Sequence, residues 1–337
     1  MPISSLLAIA PLLPASISPG SLTGELIGIA EYAIAIAMVI IVFDYVFGWL
    51  ERKVVAKIQK RHGPTYAGKY GLLQNMADIL KLMSKQHVAP ANSDRPMFLA
   101  TLPAMLALTL FLVMLIPFSP TFSGSSSGFV LLIVLVLVSF MPLVIFMNGF
   151  ASGNKFSAIS AERSVVMLLS YEIPLVLVVA TTAALTGSYS LNGIVGAQSQ
   201  LWYVVLMPIG FVIFFIAMLA ELERPPFDMR EADSELIAGW LTDVSPPYYM
   251  LALFLDYSRM LLGSMLIAIL FFGGWNGPVL PPIVWLLIKV FAIAFFIMIV
   301  RVTMVRMRID RLLRFGWLIL LPLAFVNLIV TYVLLIG

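Results

Sequence analysis

The chain has 337 residues, of which 61% are hydrophobic and 11% are charged; about 25% charged residues is typical of globular chains. This composition excludes a soluble protein, because water would meet far too much apolar surface. With no cysteine, two histidines and a net charge of +3, disulfides, iron–sulfur clusters, Cys-ligated zinc and haem pairs are excluded, and we expect no nucleic-acid partner.

Eight apolar stretches are long enough to cross a bilayer, whose core of about 30 Å needs roughly 20 helical residues. In chain order they cover residues 25–49, 97–118, 128–148, 164–186, 203–221, 248–272, 282–300 and 316–336. The sequence therefore predicts an all-α integral membrane protein of about eight transmembrane helices, forming a single membrane domain over residues 1–337. Residues 1–24 carry no Lys or Arg, so we expect a short outer segment there and no secretory signal.

The basic residues concentrate in four of the connecting loops, which hold 18 of the 20 Lys and Arg residues. These loops are 50–96, 149–163, 222–247 and 301–315. The three loops between them carry no charged residue: 119–127, 187–202 and 273–281. The positive-inside rule predicts that the charged loops are cytoplasmic and that both termini lie outside a plasma or inner membrane.

Two of the charged loops contain an amphipathic pattern. Residues 70–85 place apolar side chains on one face and polar side chains on the other: Leu72, Leu73, Met76, Ile79, Leu80 and Met83 against Gln74, Asp78, Lys81 and Lys85. Residues 229–241 follow a similar spacing, with Asp228, Glu231 and Glu235 on one face. We expect two cytoplasmic-side helices that lie in the membrane interface or wall a cavity.

Seven ionisable residues fall inside predicted spans, where charge is costly and marks routes for ions or substrates. They are Glu31, Asp44, Glu172, Glu221, Asp256, Arg259 and Lys289. The alternative interpretation is that they are paired structural charges or end residues that reach water. A dense acidic run follows the fifth span: Glu221, Glu223, Asp228, Glu231, Asp233, Glu235 and Asp243. Some of these acids should stay protonated unless Arg224 and Arg230 neutralise them.

Motifs for nucleotide binding, nucleophilic catalysis or metal binding are absent, so the sequence offers no redox centre of its own. Four other segments carry motifs. The first comprises Glu51-Arg52-Lys53, Arg61-His62-Gly63-Pro64, Gly71-Leu72-Leu73-Gln74, Ala77-Asp78 and Lys81. The second comprises Asn154-Lys155, Arg163 and Ser170-Tyr171-Glu172-Ile173-Pro174. The third comprises Ala220-Glu221, Arg224, Pro226-Phe227-Asp228, Glu231-Ala232 and Ser234-Glu235-Leu236. The last comprises Arg301, Arg306, Arg308, Asp310, Trp317 and Leu321-Pro322.

In this order and spacing, the motifs resemble those of the NuoH-type membrane subunit of respiratory complex I and of its equivalent in F420H2 dehydrogenases. The resemblance implies a non-autonomous subunit of a proton-translocating quinone oxidoreductase with NADH or F420H2 as donor. Quinone would be a substrate, with no cofactor held tightly by this chain. The implied partners are peripheral iron–sulfur and quinone-site subunits, antiporter-like and small membrane subunits, and lipids.

The resemblance also implies roles for individual residues. The quinone chamber would be lined or shaped by Arg52, Arg61, Asp78, Lys81, Arg224, Phe227, Asp228, Glu231 and Glu235. A proton path would include Glu172, Glu221, Asp233 and Asp256, and the last cytoplasmic loop would be anchored by Arg301 and Arg308. No catalytic residue in the strict sense and no metal ligand is implied.

Some positions depart from the family pattern, among them Glu223 at a usually neutral position, Arg259, and the added acids Glu31 and Asp44. Two other functions remain open from the residues. One is a membrane anchor of an ion-pumping hydrogenase that binds no quinone. The other is an independent secondary transporter. The charge-dense loops favour a subunit that docks soluble partners over a transporter.

Overall fold

The computed structural model describes residues 22–120, 127–230 and 233–333, and over these ranges the regular structure is helical, without strands. This confirms the predicted fold class. The α-helices are α1 Leu22–Ile58, α2 Gln74–Met83, α3 Arg95–Leu115, α4 Val130–Ser139, α5 Met141–Ala151, α6 Lys155–Thr186, α7 Leu191–Ala197, α8 Tyr203–Leu206, α9 Pro208–Glu221, α10 Asp233–Leu236, α11 Pro246–Phe271, α12 Pro282–Thr303, α13 Ile309–Phe315 and α14 Leu321–Thr331. The predicted outer segment lies almost wholly outside the described residues.

Seven helical segments of the described chain are long and apolar enough to span a membrane. They are Ala30–Ile58, Arg95–Leu115, Val130–Ala151, Lys155–Thr186, Pro246–Phe271, Pro282–Thr303 and Ile309–Thr331. Two of these join neighbouring helices: α4 continues into α5, and α13 continues into α14 through a π-helical turn at Gly316–Leu320.

The predicted span over 203–221 is interrupted. Met207 leaves the helical region with φ −136° and ψ 70°, so that α9 begins only at Pro208. The residue before a proline avoids the α conformation, which explains the break. The 14 residues of α9 rise about 21 Å, which is shorter than a bilayer core of about 30 Å. The eighth apolar helix is therefore present but shorter than expected.

The two amphipathic predictions fared differently. Helix α2 forms inside 70–85, but it turns its polar side toward α1 and leaves most of its apolar side exposed. In 229–241 the described residues form only the short α10 and a 3₁₀ turn at Gly239–Leu241. The prediction of a continuous helix there was therefore wrong. Ile237 and Gly239 have φ of 65° and 56°, which a helix cannot contain. A Cβ at position 239 would collide with the Arg230 carbonyl, which explains the glycine.

Helices α6 and α11 form the centre of the bundle. Helix α6 packs against α5, α9 and α14, and α11 packs against α1, α3 and α12. Every residue of α11 from Ser258 to Phe271 is buried, as expected for a helix with neighbours on all sides. Asn154 caps the start of α6, since its side-chain oxygen accepts a hydrogen bond of 3.1 Å from the Phe156 amide.

The buried cation Lys289 closes the end of this bundle that lies away from the charged loops. Its Nζ donates hydrogen bonds of 2.7, 2.8 and 2.7 Å to the carbonyls of Phe272, Gly274 and Asn276, in the turn that follows α11. It also lies 4.9 Å from the centre of the Trp202 ring. Carbonyls at the end of a helix lack partners within that helix, and the Lys289 ammonium supplies donors to three carbonyls that follow α11.

Candidate functional site

Polar contacts fix α2 against α1 on the charged side of the bundle. Arg52 Nη1 donates to Asp78 Oδ2 at 2.6 Å, and Gln74 Nε2 donates to Asp78 Oδ1 at 3.0 Å. The Tyr45 hydroxyl of α1 donates to the Leu72 carbonyl, just before α2, at 2.6 Å, and Asn75 of α2 donates to the Tyr45 carbonyl at 3.0 Å. Burial opposes ionisation of Asp78, but the hydrogen bonds from Arg52 and Gln74 outweigh it and lower the pKa of this carboxyl.

Three adjoining cavities open between α1, α2, α11 and the loop before α11, and Tyr257 lines all of them. The largest, about 720 Å³, which we call the polar cavity, has charged and polar side chains in its lining, among them Glu51, Arg52, Arg61, His62, Gln74 and Arg301. The second, about 110 Å³, is mostly apolar; its lining includes Ile41, Asp44, Ile79, Leu82, Met250 and Phe254. The third, about 120 Å³, is lined by residues that include Arg224, Tyr249 and Asp256. We call this set the chamber.

A buried carboxylate, Glu51, ties the rim of the chamber together. Its Oε1 is 3.4 Å from Arg224 Nη1 and also pairs with Arg301 Nη1. Three distant segments thereby meet: the end of α1, the turn after α9 and the end of α12. Arg301 was predicted as a loop anchor, and the structure places it on the chamber wall. Glu51 was not singled out from the sequence, although its place in the first motif was the available signal.

A second buried cluster begins at the chamber and runs into the bundle. Arg230 Nη2 is 4.0 Å from Asp256 Oδ1, and Arg230 pairs closely with Glu223. Glu223 is also 3.2 Å from Arg259 Nη1 and accepts a hydrogen bond of 2.7 Å from Ser164. These contacts form a continuous chain of alternating charge that begins at Asp256 on the wall of the third cavity and ends at Arg259, both of which belong to α11.

The inner end of this cluster is Glu221, the last residue of α9. Arg259 Nη2 lies 3.6 Å from Glu221 Oε1, and the Tyr171 hydroxyl donates to Glu221 Oε2 at 2.7 Å. Glu172, the neighbour of Tyr171 on α6, is half-buried and within electrostatic range of Glu221. Two departures from the family pattern, Glu223 and Arg259, therefore contact each other, which their positions in the sequence did not reveal.

The remaining predicted residues lie around these two sites or away from them. Phe227 lies in the loop after α9 and is buried, and its neighbour Asp228 is half-buried. Lys81 is exposed on α2, and Arg308 pairs with Asp310 at 3.9 Å on the exposed rim. Glu231 lies outside the described residues, as does the side chain of Asp233.

Glu235 is placed on the outer surface of the loop, not on the chamber wall. Arg163 Nη1 donates to Glu235 Oε2 at 2.6 Å, and Arg306 Nη2 is 4.0 Å from Oε1. The hydrogen bond from Arg163 is the main reason that the pKa of Glu235 lies below its ordinary value. This pair ties the start of α6 to the loop that carries Arg224 and Arg230.

The fold and the chamber define a multi-pass membrane protein with a polar chamber on its charged side. A family model described as NADH dehydrogenase matches residues 30–332. The chain belongs to the NADH dehydrogenase family, which is the NuoH-type family that the motifs indicated.

Curated relatives match over nearly the whole chain, and all three named here are H subunits of an NADH-quinone oxidoreductase. The one from Dehalococcoides mccartyi is 40% identical over 301 residues, which is 89% of this chain and 85% of the relative. The H 2 subunit of Syntrophobacter fumaroxidans is 39% identical over 318 residues, covering 91% of this chain and 96% of the relative. The one from Bacillus mycoides is 39% identical over 325 residues, covering 93% and 96%.

Proposed function

We propose that this chain is a membrane subunit of a complex I-type quinone oxidoreductase, in which it forms the quinone chamber and links quinone reduction to proton translocation. The observation that carries the proposal is the chamber around Tyr257, which is joined through Asp256 and Arg230 to a buried chain of carboxylates and arginines. The printed names of the relatives, all subunits of NADH-quinone oxidoreductases, support the same conclusion.

The chamber has the chemistry that a quinone needs. Quinone carbonyl oxygens accept hydrogen bonds, and the polar cavity presents donors on Arg52, Arg61 and Arg301. The adjoining cavity is mostly apolar and suits the ring and the tail. A volume of about 720 Å³ lies within the usual range of about 300–1,000 Å³ for small-molecule sites.

The buried cluster supports the proton route. Reduction of a quinone adds electrons and protons to its carbonyl oxygens, so negative charge that develops there acts on Glu51, Arg224 and Arg301 at the rim. Asp256 lines the chamber and is the outermost acid of the cluster that ends at Glu221. In this proposal, proton uptake and release move along that cluster toward the partner subunits.

The proposal includes the assembly and its orientation. The charged loops face the cytoplasm and both termini lie outside, in keeping with 18 of 20 basic residues on one side. Peripheral subunits with iron–sulfur clusters cover the chamber and deliver electrons. Antiporter-like and small membrane subunits lie beside the chain in the bilayer, and proton uptake and release along the buried cluster act on them. The chain acts as a single membrane domain without a redox centre of its own.

Two substitutions in the purified complex test the two halves of the proposal. Arg224→Ala removes a buried partner of Glu51 and should lower quinone reduction by about tenfold or more. Glu221→Gln keeps the shape of the side chain but replaces the titratable carboxyl by an amide that cannot take up or release a proton. It should abolish proton translocation in liposomes with a smaller loss of quinone reduction.

Glu31→Gln is the matched control, because Glu31 is an exposed acid on α1, far along the helix from the chamber. It should leave both activities unchanged. If Arg224→Ala retained full quinone reduction and Glu221→Gln retained full proton translocation, the assignment of the chamber and the route would be wrong. Co-purification with a nickel–iron hydrogenase subunit and no quinone would favour the hydrogenase alternative.

A further inference from the structure

An apolar groove lies between α9 and the last span, and none of its lining residues belongs to the chamber. It measures about 490 Å³, and every side chain that lines it is apolar. Its walls include Ile209, Val212 and Ile216 of α9 and Phe315, Ile319 and Leu323 of the last span. Several of these side chains, such as Val212 and Ile319, are exposed, so the groove is open to whatever surrounds the bundle.

The two ends of the groove differ. At one end, α9 and α14 are in close contact, because a Cβ at Gly210 would lie 2.9 Å from Asn327 Nδ2. Asn327 is one helical turn beyond Leu323. At the other end is Phe315, where the π-helical turn Gly316–Leu320 joins α13 to α14. Such turns occur frequently at functional sites. This second end of the groove adjoins the charged loop 301–315.

Two exposed arginines of α13, Arg311 and Arg314, lie at the charged end of the groove. Among the described residues, neither side chain has an ion-pair or hydrogen-bond partner. Arg311 precedes Arg314 by three residues and Phe315 by four, so the three side chains share one side of the helix. The nearby Trp317 is 47% exposed, and exposed tryptophans are enriched at the level of the lipid headgroups. The arginines therefore lie where headgroups lie.

The dimensions of the groove limit what can fill it. The eight-residue rise from Phe315 to Leu323 is about 12 Å. Over that length, a volume of about 490 Å³ gives a mean cross-section of about 40 Å². An α-helix is about 10–12 Å across and needs about 80–110 Å², so the groove is too narrow for a partner helix and suits a hydrocarbon chain. From Arg311 to Leu323 the rise is about 18 Å, close to the roughly 15 Å of one leaflet of the bilayer core.

We propose that the groove and the two arginines form a binding site for an anionic phospholipid of the surrounding membrane. Its phosphate pairs with Arg311 and Arg314, and an acyl chain lies between α9 and α14. Guanidinium groups bind phosphate through paired hydrogen bonds, and basic sites beside membrane helices select anionic headgroups. A zwitterionic lipid carries its own cation next to the phosphate, so it gains less from the arginines. The site does not depend on the proposed function of the chamber.

Photolabelling of the purified complex tests the site, with phosphatidylglycerol that carries a diazirine on its acyl chain as the probe. The label should appear in peptides from 208–216 and 315–323. Unlabelled phosphatidylglycerol should displace the probe at about one tenth of the concentration needed with phosphatidylcholine. The double variant Arg311→Gln/Arg314→Gln should raise the displacing concentration of phosphatidylglycerol by about tenfold. As the matched control, Lys57→Gln/Lys85→Gln removes two exposed positive charges near α1 and α2 and should leave that concentration unchanged.

Three results would overturn the site. Displacement by both lipids at equal concentrations would mean that ordinary bulk lipid covers the groove. An equal effect of the lysine control would mean that the whole charged side attracts anionic lipid without a specific site. A wild-type complex with no label in the groove would mean that another subunit covers it. The comparison of the two lipids uses the wild-type complex, so it decides the question even where the arginine variant does not assemble.

Discussion

Two buried cations, Lys289 and Arg259, stabilise opposite ends of this bundle in different ways. Lys289 is held by three backbone carbonyls in the turn after α11, whereas Arg259 is held by the carboxylates of Glu221 and Glu223. The carbonyls around Lys289 cannot gain or lose protons, so in the first site only the lysine itself could change charge. Carboxylates can, so the second site can change charge. Burial of a charge within a span is therefore not enough to indicate a proton route; the chemistry of its partners decides.

The largest effect should follow from removing the cation among carboxylates. Arg259→Met leaves Glu221 and Glu223 buried without this partner, and breaking a buried pair in this way costs about 3–5 kcal/mol. We expect quinone-linked proton translocation to be lost and the yield of assembled complex to fall several-fold, measured in liposomes and by native gel. Adding Glu223→Gln removes one excess charge and should recover part of the yield. Full activity in Arg259→Met alone would contradict a functional role for the cluster.

Lys289 should behave in the opposite way. Lys289→Met removes three hydrogen bonds from carbonyls at the end of α11 and should destabilise the protein by about 3 kcal/mol. We expect a fall in the unfolding temperature of about 5–10 °C, measured by heating the purified complex. The assembled fraction should keep its ratio of protons moved to quinone reduced. A lower ratio would place Lys289 in the route after all, and Lys85→Met at an exposed position is the control.

The smallest effect concerns the pair of Arg163 and Glu235 at the surface, because Glu235 is 53% exposed and such pairs contribute little. Its folded-state pKa is lowered, so its stabilising effect is present above the ordinary value of about 4.3 and is lost as pH falls through the lower folded value. Protease cleavage in the loop 222–247 should rise modestly below about pH 4. Glu235→Gln should show that higher cleavage already at neutral pH, and identical profiles would refute the coupling.

The apolar stretches predicted the spans well, because length and hydropathy decide insertion almost alone. The break before α9 was also visible in the sequence, since Pro208 lies inside the predicted span. The failed helix over 229–241 has a different cause. Its polar spacing was helical, but the close approach of Gly239 to the Arg230 carbonyl imposes a turn that only the packed loop reveals.

The candidate site was predictable as a set of residue types but not as a set of pairs. The motifs indicated Arg224 and Arg301, yet Glu51 contacts them across 173 and 250 positions of the chain, respectively. No local period carries information over such distances. Likewise, Asp44 was recognised as an added acid, but its serine partner on α11 is 214 positions away.

The contact between Glu223 and Arg259 also limits how this protein can be recombined with its relatives. A chimera that takes the loop after α9 from a relative with a neutral residue in place of Glu223, but keeps α11, would bury Arg259 with one neutralising partner fewer. A chimera that takes α11 alone from a relative with a neutral residue in place of Arg259 would leave Glu223 with Arg230 as its remaining cation partner. The loop and the helix therefore behave as one unit of exchange, and grafts between family members should be cut before α9 and after α11 rather than between them.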